Sequence, residues 1–416
     1  MSEASAVASE KRLTPVPTRA WGTMFLVLFM SIAAPLNMFK APGIAGTLME
    51  TFGLTPADFG WLMSVFTIMG IILAFPAAGI MSKLGIKMTS TIALVSLILG
   101  SVIGALATSF EVLLAGRFLE GVSMGLISVT APAAISRWFP RHKRGLALGI
   151  WAPWVPIGSV VMLNAANPIM SITGSWTAVW WFGAAYAVLL LVFWMLAYKD
   201  PDEPVVDADE EAPAKAGAGA QAGTQVKTSA LALMSIWLVA VGFAIFNIVQ
   251  NGSINTFYTT FLMQVHDFAQ PDAAFITSVV TLLAIPGCIF AGWLIDKTGT
   301  LKWTMIAGFV LIAVAAIWLF TWTEAWQMWL AVVICGFFAP LTTTAVFASA
   351  PSILGSAKAG FGLAIIAFMQ NIGVFFGGLA LGNLEPVFGW ATGSYILFYP
   401  LLIVAAVCAL FARKLK

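Results

Sequence analysis

Long apolar runs separated by short polar segments dominate the chain. A helix that crosses a bilayer needs about 20 mostly apolar residues. Runs of that kind fall at 21–41, 59–80, 88–108, 111–135, 146–167, 176–198, 232–262, 274–295, 302–322, 325–349, 360–383 and 394–412. The pattern predicts an all-α membrane protein with twelve transmembrane helices, which we number as spans 1 to 12.

The longest polar segment separates spans 6 and 7. It is first acidic and then rich in alanine and glycine, which predicts a disordered linker. The sequences on its two sides are related, since "GLALGIWAPWVPIG" (145–158) matches "GFGLAIIAFMQNIG" (360–373) and Gly85 matches Gly299 at a similar offset. We therefore expect two pseudo-symmetric six-helix bundles. The predicted divisions are a tail (1–20), a first bundle (21–198), the linker (199–229), a second bundle (230–412) and a short tail (413–416).

Composition narrows the class of protein. The chain is 60% hydrophobic and only 9% charged, which excludes a soluble protein of this size. The three cysteines lie in apolar runs and form no close pair, so we expect no disulfide, no metal site and no cofactor. The first twenty residues lack an apolar region ahead of a cleavage site, so we expect span 1 rather than a signal peptide.

The basic residues indicate the orientation in the membrane. With the N-terminus inside, every lysine and arginine except Lys40 and Arg117 falls in a cytoplasmic segment, as the positive-inside rule requires. We expect both termini to be cytoplasmic, in a bacterial inner membrane. The spread of these residues over short loops gives no reason to expect nucleic-acid binding, and we expect a monomer.

Two charges lie inside span 4. Arg117 and Glu120 are three residues apart and share one helix face, and charges in a bilayer face the bundle interior and usually pair. One interpretation is that Arg117 binds an anion and that Glu120 carries a proton. A mutually satisfied pair that packs span 4 is the other.

Side-chain amides mark span 7. Asn247, Gln250, Asn251, Asn255 and Tyr258 fall on one stripe of an α-helix, and amides in a membrane helix need partners or water. The stripe predicts a face that lines an aqueous cavity, with interhelical hydrogen bonding as the alternative. Further candidates for the cavity are Trp151 in span 5, Gln370 and Asn371 in span 11, and Asn37 in span 1.

Several motifs resemble those of the major facilitator superfamily. "GWLIDKTGTLK" (292–302) and "AGIMSKLGIK" (78–87) resemble its G-x-L-x-D-K/R-x-G-x-x-K loop, although Ser82 replaces the usual aspartate. "GRFLEGVSMG" (116–125) resembles the helix 4 motif, and "RWFPRHKRGLALGI" (137–150) resembles a segment of its anion-transporting branches. The resemblance implies a transporter that works by alternating access, similar to the oxalate–formate exchanger and monocarboxylate branches.

The cytoplasmic loops supply candidate gating residues. Asp296 lies near the start of the next helix and near cationic side chains, so its carboxylate can latch one bundle to the other. A role in setting topology alone is the alternative for the cations. The candidate set is Lys83, Lys87, Arg144, Asp296, Lys297 and Lys302.

Lys40 stands near the outer end of span 1 without an acidic neighbour in the sequence. The offset between the halves places it level with Ile254 or Asn255, and in the superfamily that the motifs resemble, helices 1, 4, 7 and 10 line the central cavity. We therefore expect Lys40 to bind substrate, with a lysine that snorkels to the headgroups as the alternative.

These residues together favour one function. Two cations among amides and hydroxyls suit a small organic anion, a mono- or dicarboxylate, moved by proton symport or anion exchange. A nitrate, nitrite or cyanate porter and a drug/proton antiporter are the alternatives. A membrane sensor and an enzyme are disfavoured, because the chain shows no signalling domain and no catalytic cluster.

Overall fold

The computed structural model describes residues 15–201, 229–354, 359–412 and 415, and every regular element among them is helical. The helices are α1 (Thr18–Gly43), α2 (Ala45–Phe52), α3 (Pro56–Leu73), α4 (Pro76–Ala105), α5 (Phe110–Trp138), α6 (Arg141–Trp151), α7 (Trp154–Thr173), α8 (Thr177–Ala197), α9 (Ala230–Asn247), a π-helix (Ile248–Ile254), α10 (Asn255–His266), α11 (Gln270–Thr298), α12 (Leu301–Leu319), α13 (Ala325–Leu354) and α14 (Ala359–Phe411). Residues 202–228 of the predicted linker, residues 1–14 of the first predicted tail, and residues 413, 414 and 416 of the second lie outside the described residues.

Eleven helical stretches among the described residues are long and apolar enough to cross a membrane. The last stretch is α14, with 53 residues. At ~1.5 Å per residue it would be about 80 Å long, against a bilayer core of roughly 30 Å. Its backbone is interrupted at Gly389, where φ is 70°, so α14 supplies two crossings. The predicted all-α fold with twelve spans is confirmed.

The two motif segments that we predicted as loops are largely helical. Residues 78–87 lie within α4, and residues 292–298 form the end of α11. Gly85 (φ 78°) and Gly299 (φ 66°) each supply one left-handed residue to the turn. Gly85 is flanked by helix on both sides, whereas Gly299 is followed by the extended residue Thr300 before α12 begins. The prediction of a loop was wrong there because one glycine can turn the chain.

Left-handed residues repeat between the two halves. The described residues with positive φ are Gly53, Gly85, Gly174, Asp267, Gly299 and Gly389. They form three pairs at an offset of 214 or 215, namely Gly53 with Asp267, Gly85 with Gly299, and Gly174 with Gly389. Because these residues end helices, the halves place their turns at equivalent positions, which is the pseudo-symmetry that the sequence predicts.

Two helix pairs make the most extensive contacts between the halves. Helix α3 packs against α14, and α7 packs against α11. At the first contact, the Ser64 hydroxyl donates to the Phe375 carbonyl over 2.7 Å. The backbones of Gly60 and Gly378 approach so closely that a Cβ at Gly60 would overlap the Gly378 carbonyl oxygen. Missing side chains therefore allow this contact.

Two ends of the bundle are distinguished below. The N-terminal face is the end that holds the start of α1 and the ends of α5 and α8, where Trp21 packs edge-on against Phe139. The opposite face is the end that holds the turn after α2 and the start of α8, where Phe52 packs edge-on against Trp176.

Two lysines of the candidate gating set cap the C-terminal end of the last helix, one in each half. Lys87 Nζ donates to the Met195 carbonyl over 2.8 Å, and Lys302 Nζ donates to the Leu410 carbonyl over 2.6 Å. Both carbonyls lie in the last turn of a helix, where no intrahelical donor is left and a cation is favourable. Each lysine therefore joins two helices of one half in this structure, at equivalent positions of the two halves.

Replacing Lys302 with methionine is expected to lower the free energy of unfolding by roughly 0.3–1 kcal/mol, because the Leu410 carbonyl loses its charged donor. Lys87→Met should have a similar effect through Met195. Lys83→Met is the matched control, since Lys83 is exposed and makes no hydrogen bond or ion pair with a described residue. Thermal unfolding in detergent measures the effect, and a loss of transport at unchanged stability would instead assign these lysines to gating.

Candidate substrate and proton site

Lys40 lies in the interior of the first half and is fully buried. Its Nζ donates to Asn37 Oδ1 over 3.0 Å, to Ser101 Oγ over 3.1 Å, and to Glu120 Oε1. The ammonium also lies 4.6 Å from the centre of the Trp180 ring, a favourable cation–π position. The lysine therefore has a full set of partners on α1, α4, α5 and α8.

Arg117 approaches the same carboxylate from its own helix. Its Nη1 donates to Glu120 Oε2 over 2.9 Å and to the Asn37 carbonyl over 2.7 Å, and its Nη2 donates to the Met38 carbonyl over 3.0 Å. The two backbone bonds tie α5 to α1 beside the proline at position 35. Arg117 and Glu120 are both fully buried.

One carboxylate is thus shared by two cations, each bound to a different oxygen. Ser101 Oγ also donates to Glu120 Oε1 over 2.8 Å. With all three groups charged, the cluster formed by Lys40, Arg117 and Glu120, called the charged triad below, has a net charge of +1. Burying a charge is costly unless the charge is paired and hydrogen-bonded. Glu120 provides an opposite charge and a hydrogen-bond acceptor for each of the two cations.

Glycines let the helices close around the triad. A Cβ at Gly100 would lie 2.7 Å from Glu120 Cγ, and one at Gly183 would overlap Asn37 Oδ1. Both glycines are on helices that pack against the triad, α4 and α8. The missing side chains therefore allow Ser101 and Trp180 to reach the charged groups.

Lys40 has an acidic partner in the structure. The sequence shows no acidic residue near it, but the fold brings Glu120 from 80 positions away. Burial among four helices also excludes the snorkelling alternative for this structure, because the ammonium does not reach the surface. Of the two interpretations of Arg117, the structure shows the paired one, and it extends the pair to a triad.

The amides of span 7 form a ladder. Asn251 Nδ2 donates to Asn247 Oδ1 over 2.7 Å, and Asn255 Nδ2 donates to Asn251 Oδ1 over 2.8 Å. Asn247 in turn donates to the Phe243 carbonyl over 2.8 Å. Three of the five residues of the predicted stripe are thus side by side.

The other two residues of that stripe point elsewhere. Gln250 Oε1 accepts from Cys335 Sγ over 3.0 Å, and Tyr258 packs against Phe261 and Phe320 within the second half. The prediction of one stripe was wrong because residues 248–254 form a π-helix. A π-helix turns less per residue than an α-helix, so Gln250 inside it and Tyr258 beyond it leave the α-helical stripe, while Asn255 at its end stays in the ladder.

The candidate cavity residues on spans 5 and 11, which lie in α6 and α14, form fewer hydrogen bonds than the charged triad does. Trp151 stacks on Trp154 with ring centroids 5.6 Å apart, and its Nε1 donates to Ser31 Oγ over 2.9 Å. Gln370 and Asn371 are half-buried, and Asn371 Nδ2 donates to the Ala367 carbonyl over 2.8 Å. Trp151 thus contacts span 1, whereas the two amides of α14 keep hydrogen-bonding capacity that no described residue uses.

A polar network closes the opposite face between the halves. Gln270 Nε2 donates to Asn167 Oδ1 over 2.7 Å, Gln270 Oε1 accepts from the Thr47 backbone N–H over 3.0 Å, and Asn167 Nδ2 donates to the Gly43 carbonyl over 2.9 Å. Sequence reasoning missed this network, although Asn164 and Asn167, three residues apart in one span, were a usable signal. Asn164 also crosses between the halves, to Ser278 Oγ over 2.9 Å.

The N-terminal face lacks a comparable charged closure in the part of the chain that the structure describes. Asp296 is exposed and forms no ion pair with a described residue, while Lys297 Nζ lies 4.8 Å from the Trp293 ring centre. Arg144 makes long bonds of 3.4 Å to the Phe139 carbonyl. The halves are therefore joined at the opposite face by the polar network.

Twelve helical crossings in two equivalent halves, with buried charges in one half, are typical of a membrane transport protein. A family model described as Major Facilitator Superfamily matches residues 25–378. The chain belongs to this superfamily.

Known proteins agree with this assignment. The lysosomal dipeptide transporter MFSD1 of Danio rerio is 23% identical over 96% of this chain and 88% of its own length. The arabinose-proton symporter of Escherichia coli K12 is 28% identical over 45% of this chain and 40% of its own length. A crystal structure of a bacterial homologue of the human lysosomal transporter Spinster, inward-facing and occupied, matches with a TM-score of 0.73 at 17% identity, over 96% of this chain and 97% of that one. The protein is therefore a secondary active transporter and not an enzyme.

Proposed function

We propose that the protein moves a small organic anion, a mono- or dicarboxylate, across the membrane together with protons, and that Glu120 carries the proton. The observation that supports this is the sharing of one buried carboxylate between Lys40 and Arg117. Anion exchange through the same site is the other form of this proposal.

The triad links a proton to an anion through its charge. Ionised Glu120 forms an ion pair with each of the two cations, Lys40 and Arg117. Protonation removes its negative charge and leaves Lys40 and Arg117 without a counter-ion, which is costly in a buried site. A substrate carboxylate that reaches these cations restores the balance, and its departure favours ionised Glu120 again. Proton and anion therefore bind together.

Span 1 offers a way to expose the cations. Lys40 lies between Pro35 and Pro42, and α1 ends at Gly43 before α2 begins at Ala45. Proline removes a backbone hydrogen bond and permits a bend. We propose that Asn37, Asn247, Asn251, Trp151 and Gln370 complete the substrate site on this path.

The location and gating follow from the charge distribution. We propose a bacterial inner membrane, cytoplasmic termini and a monomer, which places the N-terminal face at the cytoplasm. In the state described, the polar network closes the outer face. Asp296 then acts as the latch of the cytoplasmic side in the alternate state, in which that side is closed.

A neutral polar solute is the second candidate. The ladder of Asn247, Asn251 and Asn255 offers donors and acceptors without charge, and the buried cations Lys40 and Arg117 are already paired with Glu120. The relative that carries arabinose with protons makes this substrate class the main rival. Inorganic anions such as nitrate, and drugs that are exported from the cell, are further candidate substrates to include in a transport screen.

Replacing Glu120 with glutamine is expected to abolish pH-gradient-driven accumulation while substrate exchange continues, because glutamine keeps the size of the side chain but cannot release a proton. Its NH2 group cannot accept a hydrogen bond, so one of the two cations loses its acceptor. Proteoliposomes with an imposed pH gradient and a panel of labelled carboxylates and sugars measure both. Ser123→Ala is the control, since Ser123 is buried in the same helix and bonds only to the Glu120 backbone carbonyl. Proton-driven accumulation by Glu120→Gln would contradict the proton role, and accumulation of sugars alone would contradict the anion.

A further inference from the structure

A cavity of about 460 Å³ lies at the N-terminal face between α1, α5 and α8. Arg19 lines it from α1 and Lys199 from the segment that follows α8, with Thr23, Leu26, Trp138 and Leu196. Arg19 and Lys40 are separated by most of the length of α1, roughly 30 Å at ~1.5 Å per residue. The cavity is therefore separate from the charged triad.

The two cations of this cavity lack counter-ions in the part of the chain that the structure describes. Neither Arg19 nor Lys199 takes part in an ion pair or hydrogen bond with a described residue. The neighbouring carboxylate of Asp200 is already engaged, because Arg137 pairs with it at 3.3 Å and the Tyr198 hydroxyl donates to it over 2.9 Å. The described lining of the cavity thus carries two positive charges and no negative one.

Tyr198 stays a donor to Asp200 at neutral pH. Burial, reinforced by the Asp200 carboxylate, raises the pKa of its hydroxyl above the ordinary value. The Asp200 carboxylate is therefore held by Tyr198 and Arg137 through Oδ1, and it forms no ion pair with Lys199 in this structure.

The walls of the cavity are apolar and continue onto the surface that faces lipid. Leu196 is 75% exposed, and Phe25 and Phe29 on α1 are about half exposed. In a spanning protein such side chains contact acyl chains, while tryptophan and basic residues favour the headgroup level. An occupant with a negative headgroup and apolar tails matches both parts.

We propose that this cavity binds the headgroup phosphate of an anionic phospholipid, with Arg19 and Lys199 as the charged contacts. Thr23 adds a hydroxyl donor, and Leu26 and Leu196 contact the start of the acyl chains. Pairs of basic residues between membrane helices favour anionic headgroups, and a volume of this size lies within the range of ligand sites, about 300–1,000 Å³.

Thermal unfolding of the purified full-length protein in detergent tests this site. Dioleoylphosphatidylglycerol should raise the midpoint, whereas dioleoylphosphatidylcholine and inorganic phosphate should not. In the variant Arg19→Gln/Lys199→Gln, the apparent affinity for phosphatidylglycerol should fall at least about tenfold, as expected for the loss of two charged contacts. Arg19→Lys should retain most of the effect, because it keeps the charge.

Lys143→Gln is the matched control, since Lys143 is an exposed lysine on α6 at the same face and outside the cavity. An equal shift with inorganic phosphate would make this a site for free anions and would overturn the lipid assignment. An equal shift with phosphatidylcholine, or an unchanged affinity in the double variant, would show that the two cations do not recognise the headgroup. Both substituted residues are exposed, so the variants should fold normally.

Discussion

Replacing Glu120 with leucine is expected to lower the free energy of unfolding by roughly 3–5 kcal/mol, the usual cost of leaving a buried charge without its partner. The change strands two cations, Lys40 and Arg117, among four helices. Lys40→Met should cost clearly less, because it leaves Arg117 and Glu120 as a one-to-one pair. The difference between these two variants measures the asymmetry of the triad.

The triple variant Lys40→Met/Arg117→Met/Glu120→Leu completes this comparison. Well-packed apolar replacements of a buried ion cluster are often neutral or stabilising, so stability should largely return while proton coupling does not. Thermal unfolding in detergent and the fraction of monodisperse protein after heating give the readout. Equal losses for Lys40→Met and Glu120→Leu would contradict the sharing of one carboxylate.

Replacing Gly60 with valine is expected to separate α3 from α14 and to reduce transport strongly. The new Cβ would overlap the Gly378 carbonyl, and a backbone atom cannot rotate away as a side chain can. Overpacking of this kind costs about 1–3 kcal/mol. Since about 1.4 kcal/mol corresponds to a tenfold change in an equilibrium constant, the population of the conformation in this structure should fall roughly 5- to 150-fold. Initial rates of uptake in proteoliposomes measure the loss.

Gly79→Val is the control for this experiment, because nothing lies within 4 Å of a Cβ at Gly79. Both changes place the same β-branched residue in a helix and so share its propensity cost. A wild-type rate in Gly60→Val would show that the α3–α14 contact tolerates a wider spacing.

The sequence predicts the spans well because each depends on a local property. An apolar run long enough to span the bilayer is expected to form a transmembrane helix. The turns at Gly85 and Gly299 were visible in the sequence as glycines at matching positions of the two halves. Ladders and caps within one helix are similarly local. The neighbouring positions of Asn247, Asn251 and Asn255 follow from their four-residue spacing, although the hydrogen bonds between them were not predicted.

The site was harder because its contacts join distant positions. Lys40, Arg117 and Glu120 stood out as charges in apolar runs, yet no spacing rule connects α1 to α5, and the partner of Lys40 depends on how those helices pack. The π-helix at Ile248–Ile254 is a second limit, since the stripe that included Gln250 and Tyr258 assumed α-helical rotation throughout. Gln270 escaped notice because it lies at a helix start, where a polar residue needs no explanation.

The distance along the chain between Lys40 and Glu120 also governs how the protein enters the membrane. Helix α1 emerges from the ribosome 80 residues before its carboxylate partner, roughly 4–16 s earlier at ~5–20 residues per second. During that interval the lysine, in the last turn of α1, has no carboxylate partner, and its long side chain can place the ammonium at the headgroup level. The buried position of Lys40 therefore forms only after the arrival of the fourth span, α5, with its carboxylate.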